Sequence, residues 1–124
     1  MMAPRLVVIV SLSLFLLSAP VAEAQRAAKV PRLGYLTLLA ASQSFPPREA
    51  FWQGLRDLGW IEGKNIAIES RFAEGNAQRL PDLAAELVRL KVDLIVTETT
   101  PAALAAKQAT TAIPIVFISR GRSD

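Results

Sequence analysis

Val92-Asp93-Leu94-Ile95-Val96-Thr97, followed by Glu98-Thr99 and then Thr100-Pro101-Ala102-Ala103-Leu104-Ala105-Ala106-Lys107, decides the fold of this chain. This continuous run reads as a central parallel strand buried on both faces. The period then changes. Thr100 is a favourable N-cap, Pro101 a favourable first helical residue, and the alanine-rich stretch after them has high helix propensity. A strand feeding a helix this closely is a βα unit.

Upstream, Leu80, Leu83, Ala84, Leu87 and Leu90 fall on the inner stripe of another helix, with Pro81 tolerable in its first turn and Lys91 helping to close it. Residues 65–72, Asn-Ile-Ala-Ile-Glu-Ser-Arg-Phe, alternate as a strand between the turn Glu62-Gly63-Lys64 and the breaker Glu74-Gly75-Asn76. Their charged positions predict an edge strand. Still further upstream, Ala50, Phe51, Gly54, Leu55 and Leu58 mark a helix that Gly59 stops. Before it come a loop at residues 39–47 and a first strand at 32–38, opened by Pro31. Downstream, Ile113-Pro114-Ile115-Val116-Phe117-Ile118 supplies a fourth strand.

The order is therefore β-α-β-α-β-α-β, and such alternation with short connections requires parallel strands joined by right-handed helical crossovers. The expected fold class is α/β, a doubly wound parallel sheet. Ligands in that architecture bind outside the carboxyl ends of the strands, where the strand order reverses. Those ends are residues 39–44, 98–100 and 119 onward.

The N-terminus has a separate purpose. Arg5 leads into the apolar run 6–17, and a small-residue tail ends in Ala22-Glu23-Ala24. That is the three-part pattern of a cleaved secretory signal over residues 1–24. The run is shorter than the roughly 20 residues needed to span a bilayer. A mature protein starting at Gln25, periplasmic or secreted, is expected, with residues 25–31 as a leader and 32–124 as the folded segment. With no cysteine and no histidine in the chain, disulfides, thiol chemistry, cysteine-ligated metal and the commonest general base are all absent.

The loops exclude several chemistries. No glycine fingerprint follows the first strand, so no nicotinamide or flavin site is expected, and the Gly-Lys-Ser/Thr of a phosphate loop is missing too. Neither a cofactor nor a bound metal is expected. A nucleophilic Ser42 or Ser44 would need a lysine base, and Lys107 lies along a helix that carries it away. The modest net charge of +3 is dispersed among acids, unlike the clustered basic stripe of a nucleic-acid binder, so no nucleic acid is expected as a partner. Trp52 and Trp60 read as packing residues beside the first helix more readily than as stacking platforms. Glu98 reads either as a grip for an amine or as a solvated loop acid. Thr99, Thr100 and the amides of the third helix make the best anion site in the chain, although an ordinary cap explains Thr100 equally. An interaction domain pairing through exposed sheet edges is a further alternative, as is a secreted hydrolytic enzyme fragment.

Three blocks carry a family resemblance: Ala50-Phe51-Trp52-Gln53-Gly54-Leu55-Arg56-Asp57-Leu58-Gly59-Trp60, then residues 62–75 beginning Glu-Gly-Lys-Asn-Ile, then Thr100-Pro101-Ala102-Ala103-Leu104-Ala105-Ala106-Lys107. Together they resemble the periplasmic ABC-transporter substrate-binding proteins of the tryptophan/tyrosine-binding type. The resemblance implies a flavodoxin-like lobe of a type I periplasmic binding protein, and a binding protein rather than an enzyme. It further implies a small solute such as an amino acid, trapped between two lobes and delivered to an ABC permease in the membrane. The ligand contacts it implies are Ala40, Ala41 and Ser42 in the first loop, Thr99 and Thr100 at the third helix, and Ser119 after the fourth strand. Two departures stand out. The chain ends Arg120-Gly121-Arg122-Ser123-Asp124 where an Asp-Pro turn into a second lobe is usual, so it reads as an incomplete first lobe. The loop before the third helix carries Glu98 where small residues and glycine are usual.

Overall fold

Each apolar run folds as the element its period requires. The computed structural model describes residues 29–119. The expected signal, most of the expected leader and the tail from Arg120 lie outside the described residues. The unit that begins at Pro31 carries β1 (Arg32–Thr37), α1 (Pro46–Asp57), β2 (Ala67–Phe72), a 3-10 turn (Ala77–Arg79), α2 (Leu80–Arg89), β3 (Leu94–Thr97), α3 (Thr100–Ala109) and β4 (Ile115–Phe117). All three strand pairings are parallel and the order is β2-β1-β3-β4. The expected α/β sheet is therefore present, with β2 on an edge as its charges required.

Alternation along β1 and β3 divides the core between the two faces. Leu36 and Ile95 point toward α2 and α3 and pack with Leu80, Leu83, Ala84, Leu87, Ala102, Ala105 and Ala106. Leu33, Tyr35 and Val96 point the other way, toward Phe51, Trp52 and Leu55 of α1. Gly34 lets α2 settle onto the strand, because a Cβ there would lie 3.2 Å from both Leu87 Cδ1 and Val92 Cγ2.

Helix ends explain the small departures from expectation. α1 starts at Pro46, inside the expected loop, because two prolines in a first turn forgo only N–H groups that a helix leaves unpaired anyway. Its inward stripe is Arg48, Phe51, Trp52 and Leu55, while Ala50 and Leu58, both expected inside, face solvent. Gly59 does stop it, at φ +93°, with Gly59 N–H donating to Arg56 O and Trp60 N–H to Leu55 O. This paired pattern is a Schellman closure. α2 closes the same way around Lys91 at φ +56°, with Lys91 N–H on Val88 O and Val92 N–H on Leu87 O. Lys91 thus acts through its backbone, not only through its charge. At α3 the cap lies one residue earlier than expected: Thr99 is the N-cap and its Oγ1 accepts from Ala102 N–H. β3 is shorter than the run read from the sequence: Val92 N–H closes α2 on Leu87 O, and Asp93 meets Arg32 through both its N–H and its Oδ2, the latter accepting from Arg32 N–H at 2.8 Å.

Candidate functional site

The strand order reverses between β1 and β3, since β1 leads to β2 on one side and β3 leads to β4 on the other. The carboxyl ends of these two strands flank the crevice where such sheets bind ligands. On the α1 face that crevice has a polar floor. Tyr35 and Thr37 come from β1, Glu98 follows β3, and Arg48 reaches across from the first turns of α1. Arg48 is 5% exposed and Glu98 3%.

A buried carboxylate and guanidinium are tolerated only when every lone pair and proton finds a partner. Here they do. Glu98 Oε1 accepts from Thr37 Oγ1 at 2.6 Å and from Arg48 Nη2; Oε2 accepts from Arg48 Nε at 2.9 Å and from the Tyr35 hydroxyl. Arg48 thereby grips Glu98 with two parallel donors, the strongest arrangement for this pair. Its remaining nitrogen, Nη1, donates to Gln43 O at 3.2 Å and Ala41 O at 3.4 Å. The guanidinium carbon stands 5.4 Å from the centre of the Phe72 ring at the end of β2, within cation–π range. One side chain therefore touches the ends of β2 and β3, the loop after β1 and, through Glu98, β1 itself.

The electrostatics follow from these contacts. Burial by itself would raise the Glu98 carboxyl, but hydrogen bonds from Arg48, Thr37 and Tyr35 and the charge of Arg48 outweigh it and hold the group below the usual carboxylate range. Burial pushes the Tyr35 phenol up, reinforced by its bond to the Glu98 carboxylate, so it stays a donor. The bond to Glu98 likewise raises Arg48, against the opposing effect of its burial. The expectations that Glu98 grips an amine or sits as a solvated loop acid are both corrected. Its acceptor sites are filled by the protein's own donors.

The six residues expected at the site all lie at the carboxyl end of the sheet. Ala40, half-buried, and Ala41 and Ser42, both exposed, form the loop after β1. That loop is a tight turn in which Gln43 N–H donates to Ala40 O at 3.0 Å and Ala40 N–H to Gln43 Oε1 at 2.7 Å. Thr99 connects this loop to α3, since its Oγ1 also accepts from Leu38 N–H at 3.3 Å. Thr100 is exposed in the first turn of α3. The helix amides are less open to an anion than expected: Pro101 has none, Ala102 N–H goes to Thr99 Oγ1 and Ala103 N–H to Thr99 O. Ser119 lies apart from these, in an open groove of about 1070 Å³ with Pro46, Pro47, Ala50, Phe51, Phe117 and Ile118. Among the described residues, neither Ser42 nor Ser44 is hydrogen-bonded to a base. Lys107 lies near β4 instead, beside Ile115 and Phe117. Trp52 packs on Tyr35 with ring centres 5.0 Å apart, as expected, whereas Trp60 is exposed.

The family described as ABC transporter substrate binding protein matches residues 44–121, more than half of the chain. The chain belongs to this family. It resembles the tyrosine-binding protein of Clostridioides difficile (strain R20291), with 36% identity over 70 residues. That match covers 56% of this chain and 20% of the relative. It also resembles the ligand-free, open structure of a substrate-binding protein with adhesive properties from Clostridium difficile, at TM-score 0.65 and 30% identity. That likeness covers 71% of this chain and 30% of the other. A likeness of fold extends to an ABC domain in complex with L-Trp from Streptococcus pneumonia, at TM-score 0.58 and 24% identity, covering 72% and 30% of the two chains. The chain thus spans between a fifth and a third of the length of these proteins.

Tyr35, Thr37 and Arg48 were not among the residues expected at the site. Arg48 left a trace in the sequence, because it stands at helical spacing with Phe51, Trp52 and Leu55, a charge on an otherwise apolar stripe. Glu98 left another, as a lone acid ending a buried strand. Each is an anomaly alone; together they are a pair of opposite charges.

Proposed function

We propose that this chain is the first lobe of an extracytoplasmic solute-binding component of an ABC importer, taking a small molecule such as an amino acid at the carboxyl ends of its strands. The observation that carries the reading is the family match over residues 44–121, and the tyrosine-binding relative favours an aromatic amino acid. The signal over residues 1–24, cleaved near Ala24, delivers it to the periplasm, where a membrane permease is its partner. Ala40, Ala41, Ser42, Thr99, Thr100 and Ser119 contact the solute, and the chain is not an enzyme. The switch-point position of the first five supports this assignment. The polar floor beneath them is already charge-balanced, so neutral loop and hydroxyl groups meet the solute there.

The test is a melt of the mature chain, alone and joined to a second lobe from the relative, in the presence of each of the twenty amino acids. A saturable rise in Tm with tyrosine or another amino acid is expected, larger in the two-lobed protein because closure buries more of the solute. No rise with any amino acid in the two-lobed protein overturns the reading.

A second reading, pairing through a sheet edge, has one observation in its favour. β2 is guarded by Arg71, paired with Glu86 at 2.8 Å and Glu69 at 3.7 Å, whereas β4 exposes Val116 at 40% and Phe117 at 47%. An uncharged, exposed edge is a template for pairing. Light scattering that gives a dimer mass reverting to monomer on Val116→Lys would support it, and a monomer at every concentration would remove it.

A further inference from the structure

The geometry points to Arg48 as the positioning residue of the solute loop, the side chain that sets the conformation of residues 40–44 by bracing them against the ends of the strands. The inference rests on the reading of that loop as solute-contacting. Three observations carry it.

First, Arg48 makes two kinds of bond at once. Nε and Nη2 are fixed on Glu98, while Nη1 holds the carbonyls of Ala41 and Gln43. The guanidinium is planar and rigid, so locking one edge of it on Glu98 aims the remaining donor in a set direction. The loop carbonyls are thereby referred to the sheet, not merely to the helix that carries Arg48. Second, the anchor is itself over-determined. Glu98 is held by Tyr35 and Thr37 from β1, and Tyr35 is packed by Phe51 and Trp52 with ring centres at 6.3 and 5.0 Å. A supporting shell of this kind fixes a site to the precision that binding demands. Third, the loop needs a brace. Ala41, Ser42, Gln43 and Ser44 are exposed, and beside the turn between Ala40 and Gln43 the bonds that tie this stretch to the rest of the fold are those of Arg48 to the carbonyls of Ala41 and Gln43. An exposed loop with few buried contacts opens at low free energy, and ordering it when a solute arrives would cost affinity.

A merely structural ion pair would loosen the whole lobe when broken. A positioning residue loosens its loop selectively. Amide hydrogen exchange by NMR on the whole chain distinguishes the two, with Arg48→Lys and with the double change Arg48→Met/Glu98→Met. Lysine keeps the charge opposite Glu98 but cannot also span the loop carbonyls. The double change removes both charges and so leaves neither buried unpaired, which keeps the sheet folded if lysine does not. Exchange at Ala40 and Gln43 is expected to rise at least tenfold in each folded variant, while Tyr35 and Val96 in the paired strands change less than twofold. Loop amides unchanged within twofold, or loop and strand amides accelerating together, would overturn the inference. The experiment uses no solute, so a loosened loop in a protein whose Tm no amino acid shifts leaves Arg48 as the brace and removes only the binding reading.

Discussion

On the α2 and α3 side of the sheet, Leu36, Leu80, Leu87, Ile95 and the alanines of α3 form a dry apolar layer. On the α1 side the same strands bury Tyr35 and Val96 and then, at their carboxyl ends, Thr37, Glu98 and Arg48. The first layer needs only matching volume, and many apolar sequences could fill it with modest cost. The second needs each donor matched to an acceptor in direction as well as distance, and its members fail together. That difference separates a face held by volume alone from a face held by matched polar groups.

The contrast breaks most sharply at Glu98. Glu98→Ala strands the buried Arg48 charge and removes the acceptor from Tyr35 and Thr37, so a loss of about 3–5 kcal/mol is expected in urea unfolding. Against a whole-domain stability of about 5–15 kcal/mol this is a large share. A loss below about 1 kcal/mol would mean that water reaches the cluster and that the two faces are not so different. Leu87→Ala, at the centre of the dry layer, is expected to cost about 3 kcal/mol, within the range for a buried leucine. Its loss should leave the loop after β1 unchanged by amide exchange, which is the sharper half of that comparison.

Acid separates the faces as well. The folded Glu98 carboxyl is held below its unfolded value of about 4.3, so its contribution is complete above that value and lost as pH falls through the folded one. The urea midpoint of the parent chain should therefore drop between pH 6 and pH 3 by more than that of Glu98→Gln, whereas Leu87→Ala should keep the parent's full acid dependence. Parallel acid limbs in parent and Glu98→Gln would show that the cluster does not gain from ionisation. The smallest effect belongs to the seam between loop and helix. Thr99→Ala removes the cap on α3 and the acceptor of Leu38 N–H, and about 1 kcal/mol is expected from thermal unfolding.

The strand and helix pattern was legible because it is written locally. The apolar core of residues 92–97 reads as a buried strand, realised as Leu94–Thr97, and the alanine-rich stretch after it reads as a helix. The ends were less legible, and for a reason visible at α1: the proline pair at 46 and 47 reads equally as loop or as a first helical turn until the packing of Phe51 and Trp52 on Tyr35 rotates the helix. That rotation turned Ala50 and Leu58 outward and Arg48 inward. The six expected site residues fell at the carboxyl end of the sheet because topology alone puts them there. The cluster beneath them was hidden, since the two anomalous charges, Arg48 and Glu98, are 50 residues apart in the chain and nothing local pairs them.

By itself the sequence determined the alternation of periods, the parallel sheet that alternation requires, and the charged edge at β2, since each depends on neighbours a few residues apart. Only the tertiary structure decided which charges are buried and whom they meet. The register that sets Leu36 beside Thr97 brings Thr37 level with Glu98, and the tilt of α1 lays Arg48 over both. A charge leaves water only when its partners are already in place, and no stretch of sequence contains all of them.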